Sequence, residues 1–287
     1  MNFNYKNYIS ILKPGIIRGN IINFTAGFFF ASKGNLNFSL YVATMIGLAM
    51  IVASGCVFNN YIDKNIDKKM SRTKKRVLVT GIISGRFALA YASLLGIAGA
   101  ICLFIFSDIL AFWLSLLGLF MYVVVYGIAK RATVYGTEIG SISGAIPPLV
   151  GYVAASGKLD FGAILVFIIY VLWQMPHFYS IAIFRMKDYA AAGIPVLPIV
   201  KGVKAAKIRI LVYVVLLTII SVGSTLLKFT GIVFLITMLS LGIAWFRYGY
   251  IGLGVKDNVK WAGKMFGLSL LVVLGLDLAF ILNSWLP

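Results

Sequence analysis

The sequence predicts an all-α protein that crosses a membrane many times. Of its 287 residues, 61% are hydrophobic and only 12% are charged, and the mean hydropathy is +0.98. A soluble globular domain carries about 25% charged residues, so most of this chain is expected to lie in lipid. Apolar runs recur along the whole chain, and the basic residues between them fall mostly on one side.

Nine apolar runs make the chain a single membrane domain over residues 1–287. A helix needs about 20 residues to cross a bilayer. The runs cover roughly residues 16–31, 40–60, 87–106, 109–128, 137–155, 161–178, 210–227, 231–246 and 265–286. The polar N-terminal residues are not typical of a signal peptide, so the first run is expected to be retained.

The basic residues predict the orientation of these spans. With a cytoplasmic N-terminus, only Lys33, Lys158 and Lys228 of the 26 basic residues lie outside. Positive charge collects on the cytoplasmic side of membrane proteins, so the net charge of +18 indicates topology and no nucleic-acid partner. The two long polar connections, residues 61–86 and 176–209, then share the cytoplasmic face.

Cysteine and histidine are too few for several common sites. Cys56 and Cys102 both lie in apolar runs, and His177 is the single histidine. A zinc site built from imidazoles or a bis-histidine haem site within one chain is therefore excluded, and no CxxC motif is present.

Three polar side chains end the second apolar run. Asn59, Asp63 and Asp67 follow one another at intervals of four residues, which places them on one face of a continuous helix. Such oxygen ligands suit a Mg²⁺ ion that also binds a diphosphate. The alternative is a helix end that solvates the membrane boundary and pairs with Lys64 or Lys68, but Asn59 lies deep in the apolar run for that role.

A basic group follows this ladder. Arg72 and Arg76 are the favoured diphosphate ligands because a guanidinium binds phosphate oxygens bidentately. Neighbouring lysines are expected to anchor lipid head groups. Lys130 and Arg131 either mark the end of the fourth span or add further contacts to the diphosphate.

The second polar connection holds two more candidates. Asp188 is either a further metal ligand facing the ladder, with Arg185 beside it, or a solvated loop residue. His177 is a hydrogen-bonded structural residue, a proton carrier or an axial ligand to haem. The residues alone leave these alternatives open.

Two carboxylates fall inside apolar runs, where an ionisable residue is a functional candidate by default. Glu138 is expected to snorkel or to pair with Lys130 or Arg131, and Asp277 has no evident partner. Between them, Pro147 and Pro148 are expected to break a helix.

A metal–diphosphate site at the mouth of a membrane bundle fits a polyprenyl diphosphate, and the sequence resembles the UbiA superfamily of intramembrane prenyltransferases. The ladder over residues 59–67 and the nine-run layout carry this resemblance. The blocks that narrow it to the haem-modifying branch cover residues 13–15 with 19–20, 52–63, 70–76, 130–133, 144–148 with 151, 173–178 and 185–198. Among them, WQMPHF at 173–178 and DYAAAGIPVLP at 188–198 are the most specific.

The resemblance implies nine helices bundled around an intramembrane cavity in a bacterial cytoplasmic membrane, with the active site facing the cytoplasm. The farnesyl group of farnesyl diphosphate is expected to join a vinyl group of haem B, with water supplying a hydroxyl and Mg²⁺ as cofactor. Membrane lipid is an expected partner, as is a haem A synthase or a haem–copper oxidase assembly.

The resemblance also implies roles for individual residues. The implied metal ligands are Asn59, Asp63, Asp67 and Asp188. The implied catalytic residues are Asp63, Asp67, Asp188, Arg72 and Arg76. The residues implied to bind diphosphate or haem are Asn59, Lys130, Arg131, Arg185, His177 and Tyr189.

Two other functions compete with this interpretation. A prenyltransferase with a phenolic acceptor is expected to carry a complete second DxxxD motif, but Ala192 stands four residues after Asp188. A transporter that uses carboxylates as an ion path often has paired broken helices near the membrane midplane. Here the acidic residues of interest lie at one membrane face instead.

Overall fold

The computed structural model describes residues 5–285 and consists, over that range, of helices and loops without a strand. The first half contains α1 (Tyr5–Ser10), α2 (Pro14–Ser32), α3 (Phe38–Ile62), α4 (Lys64–Asp67), α5 (Gly85–Phe106), α6 (Ile109–Phe120) and α7 (Tyr126–Ala132). A π-helical segment, Met121–Val125, joins α6 to α7.

The second half contains α8 (Gly136–Gly144), α9 (Ile146–Ser156), α10 (Phe161–Phe184), α11 (Met186–Ala192), α12 (Leu197–Val200), α13 (Gly202–Leu226), α14 (Ile232–Ile251) and α15 (Asn258–Asn283). A single 3₁₀ turn, Gly252–Gly254, extends α14.

Eight helical segments within residues 5–285 are long and apolar enough to cross a membrane, which confirms the all-α polytopic class. They coincide with the second to ninth predicted runs. The first predicted run coincides with α2, a helix of 19 residues whose Arg18, Asn20 and Asn23 lower its hydropathy. The count of nine spans and the cytoplasmic N-terminus therefore stay predictions.

Prolines affect the helices differently at two places. Pro147 and Pro148 lie in the first turn of α9, and Ala145 separates that helix from α8, so the predicted break is present. Pro176 lies inside α10, which continues to Phe184. The predicted end of this span near residue 178 is wrong because membrane helices tolerate an internal proline. The polar connection predicted over residues 176–209 shrinks to residues 185–201.

Close helix crossings hold the bundle together. One close crossing joins α2 to α9, where a Cβ added to Gly27 would lie 2.0 Å from the Pro148 carbonyl oxygen. A Cβ added to Gly151 would lie 2.1 Å from the Phe24 carbonyl oxygen. Small residues allow such backbone contact between membrane helices. The main apolar core extends from this crossing through α10, α13, α14 and α15.

A smaller apolar cluster fixes the loop between α4 and α5. Ile11, Val57, Leu78 and Ile83 are all buried there, together with Ala88 from the start of α5. This cluster ties the chain before α2 and the basic loop to the end of α3. The loop that carries Arg72 and Arg76 is thereby held beside the end of α3.

Replacement of Gly151 by alanine should destabilise the protein by about 1–3 kcal/mol, because the new methyl group collides with backbone atoms that cannot rotate away. Thermal unfolding of the detergent-solubilised protein measures the effect as a lower midpoint. Gly223→Ala is the matched control, since a Cβ there meets no atom within 4 Å. Equal midpoints for the two variants would contradict this description of the crossing.

Candidate active site

The ladder predicted over residues 59–67 spans a helix break. Helix α3 ends at Ile62, and Asp63 has φ −85° and ψ 0° before α4 begins. The expectation of one continuous helix is therefore wrong. Backbone hydrogen bonds still link the three turns, from Asp63 N to Asn59 O at 2.9 Å and from Asp67 N to Asp63 O at 2.8 Å. The break leaves each carboxylate free to meet a cation from another element.

Asp63 pairs with two cations at the end of α7. Lys130 Nζ donates to one carboxylate oxygen at 2.5 Å, and Arg131 Nη2 donates to the other at 2.9 Å. Arg131 also donates to the Ile62 carbonyl at 2.7 Å, which satisfies an end of α3. Lys130 is buried and lies over the Tyr126 ring. Lys130 and Arg131 therefore both end a helix and contact the acidic ladder.

Asp67 pairs with Arg76 from the following loop. The Asp67 side chain is 6% exposed, and its Oδ2 accepts from Arg76 Nη1 at 2.6 Å. The same nitrogen donates to Asn60 Oδ1 at 3.2 Å, and Thr73 Oγ1 donates to the Asp67 carbonyl at 3.0 Å. The loop between α4 and α5 therefore folds back over the end of α3.

Lys13 completes the ladder from the other side and is absent from the predicted site residues. Its Nζ donates to Asn59 Oδ1 at 2.8 Å. Burial lowers the pKa of the Lys13 ammonium to about 8. The positive charge of Arg76 also lowers this pKa, whereas the negative charges of Asp63 and Asp67 raise it. Lys13 has left-handed backbone angles of φ 55° and ψ 66°, a strained conformation directly before Pro14. The block KPG at 13–15 was the available sequence signal for this residue.

A cavity of about 250 Å³ opens beside these pairs. Its charged lining residues are Lys13, Asp67, Arg72, Lys75 and Arg76. Four cations and one carboxylate line the cavity, so the net positive charge of the lining favours binding of an anion. At about 30 Å³ per water molecule, the space accommodates a group several waters in size.

Asp188 connects the two polar loops. Its Oδ1 accepts from the Ser71 amide at 2.9 Å and from the Ser71 hydroxyl at 2.6 Å. These hydrogen bonds are the main reason why the pKa of the Asp188 carboxyl is lowered, and Arg185 and Arg72 contribute to the shift. Burial raises the pKa of the adjacent Tyr189 phenol, which Arg72 opposes. The predicted group Arg72, Arg185, Asp188 and Tyr189 is thus brought together, with Arg185 lying over the Phe184 ring.

The two carboxylates predicted inside apolar runs have partners that the sequence did not reveal. Glu138 Oε1 accepts from Arg209 at 2.6 Å and from the Tyr179 hydroxyl at 2.5 Å. The expected pairing with Lys130 or Arg131 is wrong because Asp63 holds both of those cations. Asp277 accepts a hydrogen bond from the Tyr170 hydroxyl. Neither carboxylate belongs to the ladder.

The donor set of the ladder fits Mg²⁺ only together with a substrate. Among residues 5–285, no three His, Cys, Asp or Glu side chains are grouped closely enough to hold a metal ion. Mg²⁺ characteristically uses one or two protein carboxylates and fills its shell with water and phosphate oxygens. Asp63, Asp67 and the Asn59 amide oxygen match that requirement when a diphosphate supplies the remaining ligands.

Known proteins resemble this chain along nearly its whole length. A model of the UbiA prenyltransferase family matches residues 20–274. The protoheme IX farnesyltransferase of Citrobacter koseri is 46% identical over 284 residues, which is 99% of this chain and 96% of that protein.

Solved structures share the fold at low sequence identity. A structure described for digeranylgeranylglyceryl phosphate synthase in membranes has a TM-score of 0.81 and 21% identity, covering 98% of both chains. A UbiA homolog from Archaeoglobus fulgidus bound to GPP and Mg²⁺ has a TM-score of 0.67 and 16% identity, covering 96% of this chain and 99% of that one.

Removal of the Arg76 guanidinium should destabilise the protein by about 3 kcal/mol, because a buried Asp67 then has no cationic partner. The midpoint of unfolding in detergent measures this loss for Arg76→Gln. Arg131→Gln is the matched control, since Asp63 keeps Lys130, and it should cost much less. The double variant Arg76→Gln with Asp67→Asn should recover part of the stability. Equal effects of the two single variants would refute the assignment.

Proposed function

This chain belongs to the UbiA prenyltransferase family, and we propose that it transfers the farnesyl group of farnesyl diphosphate to a vinyl group of haem B, giving haem O. The observation that carries the proposal is the ladder of Asn59, Asp63 and Asp67 beside a cation-lined cavity. The 46% identity to a protoheme IX farnesyltransferase over 99% of the chain supports this acceptor.

The cations around the ladder are placed to receive the diphosphate. Lys13, Arg72 and Arg76 all line the cavity. When the diphosphate enters, Arg76 can leave Asp67 and donate to a phosphate oxygen instead. Lys13 can likewise leave the Asn59 oxygen and donate to the diphosphate. The ladder oxygens released in this way would hold Mg²⁺, which when bound supplies Lewis-acid stabilisation of the leaving group.

Asp188 has a separate role in this proposal. It holds Ser71 and thereby orients the loop that carries Arg72 towards the cavity. A metal ion at Asp188, as the sequence suggested, would use Oδ2, because both hydrogen bonds from Ser71 go to Oδ1. Tyr189 and Arg185 lie beside this contact between Asp188 and Ser71 and are proposed to cover the bound diphosphate.

The reaction then balances as follows. The C1–O bond of farnesyl diphosphate breaks, and its electron pair leaves with the diphosphate. The vinyl π electrons of haem B form the new bond to farnesyl C1, and water adds to the resulting cation with loss of a proton. Preorganised cations stabilise the charge that develops on the leaving group. The products are haem O, diphosphate and a proton.

The ladder lies at one end of the membrane bundle, on the side that carries most of the basic residues. We propose that this end faces the cytoplasm of a bacterium, in its cytoplasmic membrane. A haem A synthase or a haem–copper oxidase assembly is the proposed consumer of the product.

A direct test incubates the purified protein with haem B, farnesyl diphosphate and Mg²⁺ and analyses the pigments by mass spectrometry. The expected product is haem B plus one farnesyl group and one hydroxyl. Asp63→Asn and Asp67→Asn should each slow its formation at least about a hundredfold. Asp108→Asn is the matched control, because Asp108 caps α6 and asparagine caps helices equally well. Farnesyl transfer to a phenol with no change in haem, or full activity in EDTA, would contradict the proposal.

The orientation can be tested by labelling single introduced cysteines with an impermeant maleimide in intact cells. Lys158→Cys should be labelled from outside, whereas Lys68→Cys should be labelled only after the membrane is opened, since exposed Lys68 directly follows the ladder. Both variants are made after replacement of Cys56 and Cys102 by alanine. The reverse labelling pattern would invert the proposed topology.

A further inference from the structure

We propose that His177 is the axial ligand of the haem iron, and that the porphyrin lies in a slot between the N-terminal half of α2 and the α10–α15 pair. The inference rests on the proposed function, which requires haem as a substrate. It adds the atom that binds the iron and the walls that receive the ring.

Hydrogen bonds fix the tautomer of His177. The Ser269 hydroxyl has one proton, which it donates to the Phe266 carbonyl oxygen at 2.6 Å. The Ser269 oxygen can then only accept, so His177 Nδ1, at 2.7 Å, must be the donor. A neutral imidazole with a proton on Nδ1 carries a lone pair on Nε2.

His177 Nε2 is available to a ligand. Among the described residues this nitrogen has no hydrogen-bond partner. It is also not one of the side-chain atoms that are fully buried without a partner, so it is reachable from outside the protein. Metal-binding histidines characteristically donate the other ring N–H to a protein oxygen, as Nδ1 does here. The dative bond to iron would use the Nε2 lone pair and displace no proton.

Aromatic side chains surround the imidazole. The rings of Trp173, Phe178 and Phe266 lie with centroids 5.1, 5.3 and 5.0 Å from the His177 ring. Trp173 is itself held, because its Nε1 donates to the Ser269 carbonyl oxygen at 2.8 Å. Such rings suit a flat conjugated macrocycle, and the fixed tryptophan keeps the imidazole in one orientation.

A buried contact sets α2 in register with α10 and α15. Asp277 accepts from the Tyr170 hydroxyl. When the Asn23 amide is oriented with its nitrogen towards this carboxylate, as its surroundings require, it donates to the second oxygen at 3.2 Å. Each residue advances a helix by about 1.5 Å along its axis. Counted towards the ladder end, His177 lies about 10 Å along α10 from Tyr170, and Ser269 lies about 12 Å along α15 from Asp277. The same height on α2 falls between Gly19 and Gly15, about 6 and 12 Å from Asn23.

The glycines of α2 leave open space at that height. Gly15 and Gly19 precede Asn23 at intervals of four residues, so they share its helix face. Both are exposed, and a Cβ at either position meets no atom within 4 Å. The face of α2 that approaches Asp277 thus carries two glycines towards the ladder end, and the proposal places the porphyrin edge against them.

The test is a titration of the purified protein in detergent with ferric haem B, followed by Soret absorption and electron paramagnetic resonance. The wild-type protein should give the spectrum of an imidazole-ligated iron. His177→Ala should lose that spectrum and bind haem at least about tenfold more weakly, and added imidazole should restore the spectrum. Ser269→Ala should weaken ligation by about tenfold, because Nδ1 loses its acceptor. An unchanged spectrum and affinity in His177→Ala would overturn the ligand assignment.

Metal-free protoporphyrin IX separates ligation from packing. It should bind the wild-type protein and His177→Ala equally, since it offers no iron, whereas Gly19→Leu should weaken the binding of both porphyrins. Gly223→Leu is the matched control, because the space there is also open but lies near the end of α13 that is opposite to the ladder. Unchanged binding in Gly19→Leu would overturn the slot.

Asp63→Asn distinguishes this inference from the proposed function. It should keep the wild-type haem spectrum while losing farnesyl transfer. A wild-type protein that makes haem O but shows no histidine-ligated iron would refute only the inference. A wild-type protein that neither binds nor converts haem would refute the proposed function as well.

Discussion

The burial of Asp67 and the partial burial of Asp63 at one end of the bundle are the constraint on which the site depends. A carboxylate taken out of water is costly unless a cation accompanies it. Asp63 receives its cations from α7, and Asp67 receives its cation from the loop before α5. Lys13, at the start of α2, reaches the same ladder through Asn59. Elements that are distant in the chain converge here and supply charge to the ladder, and the cations that pair with it are also suited to a diphosphate.

The second half of the chain supports a different chemistry. Its polar groups lie deeper, on the inner face of α10, where Tyr170, Trp173 and His177 succeed one another at helical spacing. Each hydrogen bonds to α15, through Asp277 or Ser269. A reaction between an interfacial diphosphate and a flat apolar acceptor needs two such neighbouring regions, one charged and one aromatic. In the proposed reaction, joining them in one bundle would bring the farnesyl group activated at the first region to the acceptor held at the second, away from bulk water.

The helical class and the proximity of Asn59, Asp63 and Asp67 were predictable from the sequence because their signals are local. Apolar runs define spans, and the spacing of Asn59, Asp63 and Asp67 defines a ladder. Contacts between distant elements were not predictable in this way. Lys13 precedes Asn59 by 46 residues and Arg209 follows Glu138 by 71, so only the fold reveals these partners. Helix ends also differed, since neither the break at Asp63 nor the continuation through Pro176 follows from hydropathy.

The most direct test of the central claim measures metal binding at the ladder with Mn²⁺ in place of Mg²⁺. Purified protein is mixed with Mn²⁺ and a non-hydrolysable thiodiphosphate analogue of farnesyl diphosphate, and electron paramagnetic resonance records coupling of the bound ion to ³¹P. The account predicts one or more bound ions with ³¹P coupling in the wild-type protein, and loss of that signal in Asp63→Asn and Asp67→Asn. Bound Mn²⁺ without ³¹P coupling, or a signal that both variants keep, would contradict a metal–diphosphate site at these residues.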